Sequence, residues 1–304
     1  MPDLPPRPET PANAAFRRDF YRRWGREWCV VTGTSRYAAY AEFEQAFSVK
    51  TVTAGREHYY VDRRRITVTP SDYLVLNEGR RYASLLESPE RATSFCVFYP
   101  FGAVARRARE MTQTLEQALD IPDMGCGETP LFVENLRPHD TLVSPVLRHM
   151  QRTIERGLRD EPWLEEQCDF LLVRLLRSET AGPRQRQRLA CTRAATRREL
   201  ARRLGLAADC MRSNLETPLS LADLARVAHL SRYHFLRMFR ELYGRTPVAY
   251  LRALRTERAL YLLGSTTLAI DDVAARVGMT RTALWRAIRS ARGMSPTCAR
   301  PERP

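Results

Sequence analysis

Two helix pairs separated by 49 residues dominate the pattern of apolar and polar positions in the C-terminal part of the chain. Segment 219–247 (LSLADLARVAHLSRYHFLRMFRELYGRTP) predicts a helix, a tight turn and a second helix, because its apolar residues recur at three- and four-residue steps. Segment 268–296 (LAIDDVAARVGMTRTALWRAIRSARGMSP) repeats this pattern without a gap. Arginine takes the same three positions in the second helix of both segments: Arg232, Arg237 and Arg240, and then Arg281, Arg286 and Arg289.

Residues that begin and end helices flank these apolar stripes. Ser220 followed by Asp223 predicts a capped first helix, Ser231 caps the next helix, and Gly244 ends it. A continuous helical pattern then runs over 248–263, and its 16 residues span ~24 Å at ~1.5 Å per residue. The repeat is therefore two helix-turn-helix units joined by a rigid helix.

The segment 43–100 shows a different, shorter alternation that predicts β-strands. Short apolar runs such as FSVKTVTAG, HYYV, RITV, YLVL, RRYASLLES and ATSFCVFYPF are separated by turn residues near Asp62 and Pro70. Many short strands with turns between them fit a sandwich or a small barrel. Residues 15–31 predict a short helix that leads into a first strand.

Three amphipathic helices follow the predicted strands. Their patterns cover 103–118, 141–159 and 162–177, and a loop rich in glycine, proline and aspartate separates the first two. These helices either pack on the β-structure or form a dimer interface, and both roles are compatible with the pattern.

The charge of the chain is concentrated at its C-terminal end. The 304 residues carry a formal net charge of +14, but residues 1–182 hold 25 basic and 26 acidic side chains, whereas residues 183–304 hold 24 basic and 9 acidic ones. Basic charge confined to one end is typical of a domain that binds a polyanion. Of the 49 basic residues only Lys50 is a lysine, a bias that we ascribe to a GC-rich genome.

A second helix with a basic and aromatic outer face suits the major groove of double-stranded DNA. Arginine pairs with the edge of guanine, and flanking arginines meet phosphates, which position the helix. The predicted contact residues are Arg232, Tyr233, Leu236, Arg237 and Arg240 in the first unit, and Arg281, Thr282, Trp285, Arg286 and Arg289 in the second. Trp285 alone has two candidate roles, since a large ring on an amphipathic helix is more often a core residue than a contact residue.

The sequence resembles the AraC/XylS family of transcription regulators. The resemblance covers about 209–297 and rests on LSLADLARVAHLSRYHFLRMF, GRTPVAYLRALRTERALYLL, DDVAARVGM and the terminal GMSP. It implies that both second helices enter adjacent major grooves. The second unit departs from the family pattern: it has Gly278-Met279 where a glycine–phenylalanine turn is usual, and Leu284 and Ile288 in place of phenylalanines. The resemblance also implies that this unit binds less specifically.

The span 45–100 resembles the cupin-like β-barrel that senses effectors in arabinose-operon-regulator-type proteins. We therefore predict an α+β chain: a cupin-like β-barrel with packed helices, then an all-α domain of two helix-turn-helix units joined by a long helix. The predicted domains are a disordered tail (1–14), a sensing and dimerisation domain (15–182), a basic helical linker (183–208), a tandem helix-turn-helix domain (209–297) and a tail (298–304).

The sensing half lacks the residues of a metal enzyme. A cupin metal site needs clustered histidines, and this β-region holds only His58, with Tyr60 where a second histidine would stand, so we predict no metal, no cofactor and no catalysis. The resemblance implies a small effector or a partner protein at the barrel. Tyr59, Tyr73, Tyr82 and Arg80 are either residues of that site or structural ones, and the ligand-binding residues stay unknown.

We therefore expect a homodimeric transcription regulator, in the family's commoner mode an activator that contacts promoter DNA and RNA polymerase. No run of 18 apolar residues and no signal-peptide core occurs, so we expect a soluble, cytoplasmic protein without a membrane partner. Two rival functions differ in class. A DNA-repair alkyl transferase needs clustered reactive cysteines, whereas the seven here (29, 96, 126, 168, 191, 210 and 298) are dispersed. A non-specific architectural DNA binder would leave the N-terminal half without a role.

Overall fold

The computed structural model describes residues 20, 22–62, 64–111, 132–158, 160–181, 189 and 194–292. The chain divides into two compact units, Met1–Pro183 and Arg184–Pro304. Both predicted tails, residues 112–131 (the end of the first predicted helix and most of the loop after it) and the terminal GMSP lie outside the described residues.

The N-terminal unit is built on a seven-stranded antiparallel sheet. The strands are β1 (Cys29–Glu44), β2 (Ser48–Ala54), β3 (Glu57–Val61), β4 (Arg64–Val68), β5 (Asp72–Leu76), β6 (Arg81–Phe98) and β7 (Leu136–Pro138). Their order is β4-β3-β6-β2-β5-β7, and β1 pairs with the other side of β6. Since β3 and β2 pair with successive parts of β6, the sheet curls into a nearly closed, cupin-like barrel, as predicted.

Alternation along the strands gives the sheet two apolar faces. One face encloses the barrel interior, where a cluster of aliphatic and tyrosine side chains is buried: Val52, Tyr59, Val61, Ile66, Val68, Leu74, Leu76, Tyr82 and Leu136. The other face, which includes Phe47 and Val49, is covered by helices. Both faces of the sheet are therefore buried, since successive side chains along each strand point to opposite faces.

Three helices form that cover: α1 (Ala103–Glu110), α2 (Ser144–Glu155) and α3 (Glu161–Ala181). Met150 and Leu171 are among their buried residues. Packing on the sheet, one of the two roles predicted for these helices, is therefore confirmed. Helix α2 ends at Glu155, four residues before the end of the predicted pattern, and Leu158 beyond it is exposed.

The paired strands β1 and β6 are the longest of the described strands. Two strands were expected in the region that β6 spans, because proline and charged residues interrupt the pattern at 87–91. Instead β6 continues for 18 residues. Its partner β1 is 16 residues long and absorbs the interruption in a register shift between Ser35 and Tyr37. A bulge of this kind accommodates an irregular segment without ending the ladder.

The C-terminal unit consists of six helices in the part of it that the structure describes. They are α4 (Ala194–Ser213), α5 (Leu221–Val227), α6 (Arg232–Tyr243), α7 (Pro247–Ser265), α8 (Ile270–Arg276) and α9 (Arg281–Arg292). Leu204 and Met211 of α4 pack into one core with α5, α6 and the start of α7. Much of the segment predicted as a basic linker therefore belongs to a core helix, because its apolar residues face the first helix-turn-helix.

The long helix α7 connects two separate cores. Leu251 near its start lies in the core of the first helix-turn-helix. Ala259, Leu262 and Leu263 near its end lie in a second core with α8 and α9. The predicted architecture of two units on one connecting helix is confirmed. Among the helices described, none is long and apolar enough to cross a membrane.

Candidate nucleic-acid interface

Helix α6 separates its apolar and basic faces in the predicted way. Phe235, Met238, Phe239 and Leu242 are buried. Tyr233 is 76% exposed, and Leu236 is exposed beside it. Arg232 and Arg240 are also exposed. The side chain of Arg237 projects from the same helix and lies 3.6 Å from the carboxylate of Glu241. An exposed ion pair of this kind is worth at most ~1 kcal/mol, so a nucleic-acid ligand displaces it at little cost.

Local sequence holds the start and the end of α6 in place. The hydroxyl of Ser231 accepts a hydrogen bond from the backbone N–H of His234, and Gly244 ends the helix in the left-handed conformation. The preceding helix α5 begins with a complete capping box, in which Ser220 and Asp223 each accept a hydrogen bond from the other's backbone N–H. The predicted caps are all present, so the outward residues lie on a helix with well-defined ends.

Helix α9 repeats this arrangement with one difference. Leu284 and Ile288 are fully buried, while Thr282, Arg286 and Arg289 are exposed. Trp285 is half-buried and lies on neither the core face nor the fully exposed face. Arg281 donates a hydrogen bond of 2.9 Å to the carboxylate of Asp271 on α8.

The turn within each unit requires a left-handed residue at equivalent positions. His229 has φ of 52° in the first unit, and Gly278, 49 residues later, has φ of 63° in the second. Only the second position is crowded. A Cβ atom added to Gly278 would lie 2.5 Å from the carbonyl oxygen of Leu215 and 2.9 Å from that of Glu216.

This crowding belongs to a contact that joins the two helix-turn-helix units. Arg255 of α7 donates hydrogen bonds from Nε to the Leu215 carbonyl at 2.9 Å and from its terminal nitrogen to the Thr217 carbonyl at 3.0 Å. We call Leu215, Glu216, Thr217, Arg255 and Gly278 the inter-unit junction. The segment that leads into the first unit thus packs directly on the turn of the second unit.

A second link between α4 and α7 lies in the core of the first unit. Asp209 and Arg212 are both buried, 3.5 Å apart, and Arg212 also donates a hydrogen bond to the hydroxyl of Tyr250. Sequence reasoning did not find this pair, because a basic residue in a strongly basic segment gives no sign of burial. The pair holds α4 against α7 in the helical unit.

This geometry, with two exposed basic helix faces on one helical scaffold, defines a tandem helix-turn-helix domain. Residues 224–301 match the family described as a helix-turn-helix domain. The MmsAB operon regulatory protein of Pseudomonas aeruginosa PAO1 is 32% identical over 91 residues, which are 30% of this chain and 30% of that protein.

Two solved structures are each similar over about a third of the chain. The DNA-binding domain of the global transcriptional factor AdpA, crystallised with a target DNA, is 31% identical, with a TM-score of 0.31, and the match covers 31% of this chain and 86% of that one. A regulator with an AraC-type DNA-binding domain from Chromobacterium violaceum is 27% identical, with a TM-score of 0.31 and coverages of 35% and 93%.

The C-terminal unit thus contains an AraC-type helix-turn-helix domain. The match covers about a third of the length of the curated relative. The activity of the whole protein is therefore a proposal.

The barrel interior is a second place where polar side chains meet. Tyr59 and Tyr82 lie together there, with ring centroids 5.9 Å apart. The other two predicted candidates lie elsewhere: the Tyr73 hydroxyl donates to Asp140 on the helix-covered side, and Arg80 pairs with Glu134. The interior also buries Lys50, the one lysine of the chain.

His58 has an ordinary structural environment. Its Nδ1 lies 2.9 Å from the Thr67 hydroxyl across the β3–β4 pair, and burial lowers its pKa to about 4. Within the described ranges, no three histidine, cysteine, aspartate or glutamate side chains meet as a metal-binding group. The four cysteines placed by the structure, Cys29, Cys96, Cys168 and Cys210, are free thiols.

Proposed function

We propose that the protein is a sequence-specific DNA-binding transcription regulator that reads two adjacent major grooves with α6 and α9. The observation that carries this proposal is the pair of exposed basic faces on α6 and α9, each positioned by a buried apolar stripe of the same helix. The net charge of residues 183–304 supports it, since an excess of 15 positive charges attracts DNA from a distance.

The two faces differ in the specificity that we propose for them. On α6, Tyr233, Leu236 and Arg237 offer a ring, an apolar group and a guanidinium, which suit a base, a thymine methyl and a guanine. On α9, Thr282 and Arg286 offer the corresponding polar groups, and Trp285 is half-buried. The first unit therefore contributes more sequence discrimination than the second.

Arg232, Arg240, Arg281 and Arg289 are proposed to contact phosphates. They flank the central residues of each face, and such contacts position a helix without reading sequence. Arg281 exchanges its exposed ion pair with Asp271 for a phosphate when DNA binds. The cost is small, because both partners are well exposed.

The N-terminal unit is proposed to sense a small effector and to form a homodimer, and DNA-bound protein to contact RNA polymerase as an activator. The curled sheet with polar groups in its interior supports the sensory part of this proposal. A dimer would place two tandem domains on one promoter, so that each adds to the affinity of the other. We further propose a cytoplasmic location.

The test begins with selection of preferred sites from genomic fragments by the full-length protein at ~150 mM salt, near physiological ionic strength. Dissociation constants are then measured on the selected site and on a shuffled sequence. Arg237→Ala is expected to lose ~1–3 kcal/mol on the selected site only, whereas Arg240→Ala should weaken binding to both DNAs alike.

Arg81→Ala provides the matched control, since it removes one exposed positive charge from the barrel and is expected to leave both constants nearly unchanged. Equal losses for Arg237→Ala on both DNAs would contradict base recognition by α6. Binding without a preferred site that disappears as salt rises would indicate phosphate attraction alone, and would favour the architectural role over the regulator.

A further inference from the structure

Lys50 is the single lysine among 49 basic residues, and it is 2% exposed in the barrel interior. Genome composition explains why arginine replaces lysine elsewhere, but not why one lysine stays at a buried position. Lysine has two properties that arginine lacks: its head group is compact, and it loses its proton at an accessible pH to become a nucleophilic amine. The environment of Lys50 shows which property matters.

Aromatic rings, rather than carboxylates, surround the amine. Nζ lies 3.5 Å from the ring centroid of Phe98, 5.3 Å from that of Tyr82 and 6.0 Å from that of Tyr59. Among the residues that the structure describes, none provides Nζ with a hydrogen bond or an ion pair. The carboxylate of Glu57, on the same interior face, accepts a hydrogen bond of 2.6 Å from the Ser94 hydroxyl.

This environment favours the neutral form of the amine. Burial lowers the pKa of Lys50 to about 8, although the negative charges of Cys96, Glu57 and Cys29 in their ionised forms would raise it. Burial also raises the pKa of the Cys96 thiol to about 11, so this group stays neutral near pH 7. The phenols of Tyr59 and Tyr82 stay neutral as well, because burial raises the pKa of both.

Two hydroxyls in the same interior, Ser48 Oγ and Tyr82 Oη, are buried close to each other, but neither makes a hydrogen bond of normal geometry to the described residues. Ser48 precedes Lys50 by two residues on β2, so both side chains point into the barrel. Buried polar atoms without a well-formed hydrogen bond are uncommon in native proteins, and a bound molecule or a catalytic role is one explanation for them.

We propose that Lys50 is a covalent capture site for small aldehydes or ketones. The amine lone pair adds to the carbonyl carbon, and a proton moves from nitrogen to oxygen to give a carbinolamine. Loss of one water molecule then forms the C=N bond of an imine, without any oxidation or reduction. The Ser48 and Tyr82 hydroxyls hydrogen-bond the carbinolamine oxygen, and the aromatic lining limits the water that reverses the reaction.

A carbonyl compound fits these observations better than an organic anion does. A carboxylate ligand is held best by the planar fork of arginine, which this chain uses at every other basic position. Glu57 in the same interior would repel such an anion. Capture of an effector in this form rests on the sensory role proposed above for the N-terminal unit, but the chemistry itself is measured without DNA.

The experiment uses the full-length protein with acetaldehyde or propanal and cyanoborohydride, which reduces an imine to a stable amine. Peptide mapping by mass spectrometry then locates the product, and Lys50 is the only ε-amine in the chain. We expect modification of Lys50, with a rate that levels off above a pH of about 8. At pH 7 the neutral fraction of an amine with pKa 8 is about 300-fold larger than that of one with pKa 10.5.

The matched control moves the single lysine to the surface. Lys50→Arg with Arg81→Lys keeps the number of amines and places the lysine at a side chain that is 62% exposed. Its reaction rate should still be rising at pH 9. Lys50→Arg alone should react only at the α-amine, and circular dichroism establishes that each variant is folded.

Two outcomes would overturn capture at Lys50. One is an unmodified Lys50 under conditions that modify the α-amine of the same chain. The other is modification that requires urea, which would mean that the folded barrel does not admit the carbonyl compound. Both outcomes are measured on the wild-type protein, so they stand even if a variant fails to fold. Trapping at Lys50 that leaves DNA affinity unchanged would support the chemistry while removing its sensory role.

Discussion

Gly278→Ala tests whether the inter-unit junction depends on the absence of a side chain. Alanine at a φ of 63° adopts the left-handed conformation, which costs about 1–2 kcal/mol for an L-residue. Its Cβ would also lie 2.5 Å from the Leu215 carbonyl oxygen and 2.9 Å from the guanidinium of Arg255. Forcing such overlaps into packed structure typically costs another 1–3 kcal/mol or so. We therefore expect a total loss of about 2–5 kcal/mol.

His229→Ala is the control that the sequence repeat provides. His229 occupies the equivalent turn with φ of 52°, so its replacement keeps both a Cβ and the left-handed conformation. The position is exposed, and we expect a change of no more than ~0.5 kcal/mol. The difference between the free-energy losses of the two variants therefore gives the cost of adding a Cβ atom at position 278. This cost includes both the crowding at the junction and the left-handed conformation.

Hydrogen exchange in the full-length protein is the appropriate assay, because a chain with two units does not unfold in a single transition. Exchange of α8 and α9 amides under native conditions reports the opening free energy of the second unit. Gly278→Ala should accelerate exchange there and leave the barrel strands unchanged. Two results would refute the crowding argument. One is wild-type protection of α8 and α9 in Gly278→Ala. The other is a loss of opening free energy in the first unit of His229→Ala as large as the loss in the second unit of Gly278→Ala.

Two further predictions use single substitutions. Ala269 occupies the N-cap position of α8 that Ser220 occupies in α5. Ala269→Ser should therefore raise the opening free energy of α8, measured by hydrogen exchange, by ~0.5–1.5 kcal/mol, and Ser220→Ala should lower that of α5 by a similar amount. An unchanged opening free energy in Ala269→Ser would mean that the missing cap does not limit the stability of α8. Burial lowers the pKa of His58 to about 4, below its unfolded value of about 6.5. The unfolded chain therefore takes up this proton first, and stability falls as pH drops from about 6.5 towards 4. In His58→Gln the urea-unfolding midpoint should depend less on pH across that range. A pH dependence equal to that of the wild-type protein would contradict the lowered pKa of His58.

The helix-turn-helix units were predictable because their information is local. Apolar periodicity, a cap at Ser231 and a glycine at Gly244 all act within one or two turns of the same helix. The repeat supplied a second, independent instance of the same pattern. The junction was not predictable, because Arg255 and the Leu215 carbonyl are 40 residues apart and nothing local relates them. Glycine at 278 was visible as a turn residue, but its packing role was not.

The barrel was predictable in its short strands and not in its long ones. Turn residues delimit β2 to β5 locally, whereas β1 and β6 stabilise each other across a register shift that either segment alone would not reveal. The direction of a side chain is similarly non-local. Tyr59 and Tyr73 have the same local character, yet one lies in the interior and the other faces helices, because strand pairing decides which face is enclosed.

Lys50 shows how composition and position have to be weighed together. A bias towards arginine carries little functional information when the residues are on the surface, where either cation is solvated. In the barrel interior the same substitution changes chemistry, because a guanidinium keeps its proton at any physiological pH, whereas burial gives the amine a larger neutral fraction. A departure from a compositional bias is therefore informative where burial gives arginine and lysine different chemistry. Lys50 is such a departure, because it is the one lysine of the chain and it is buried.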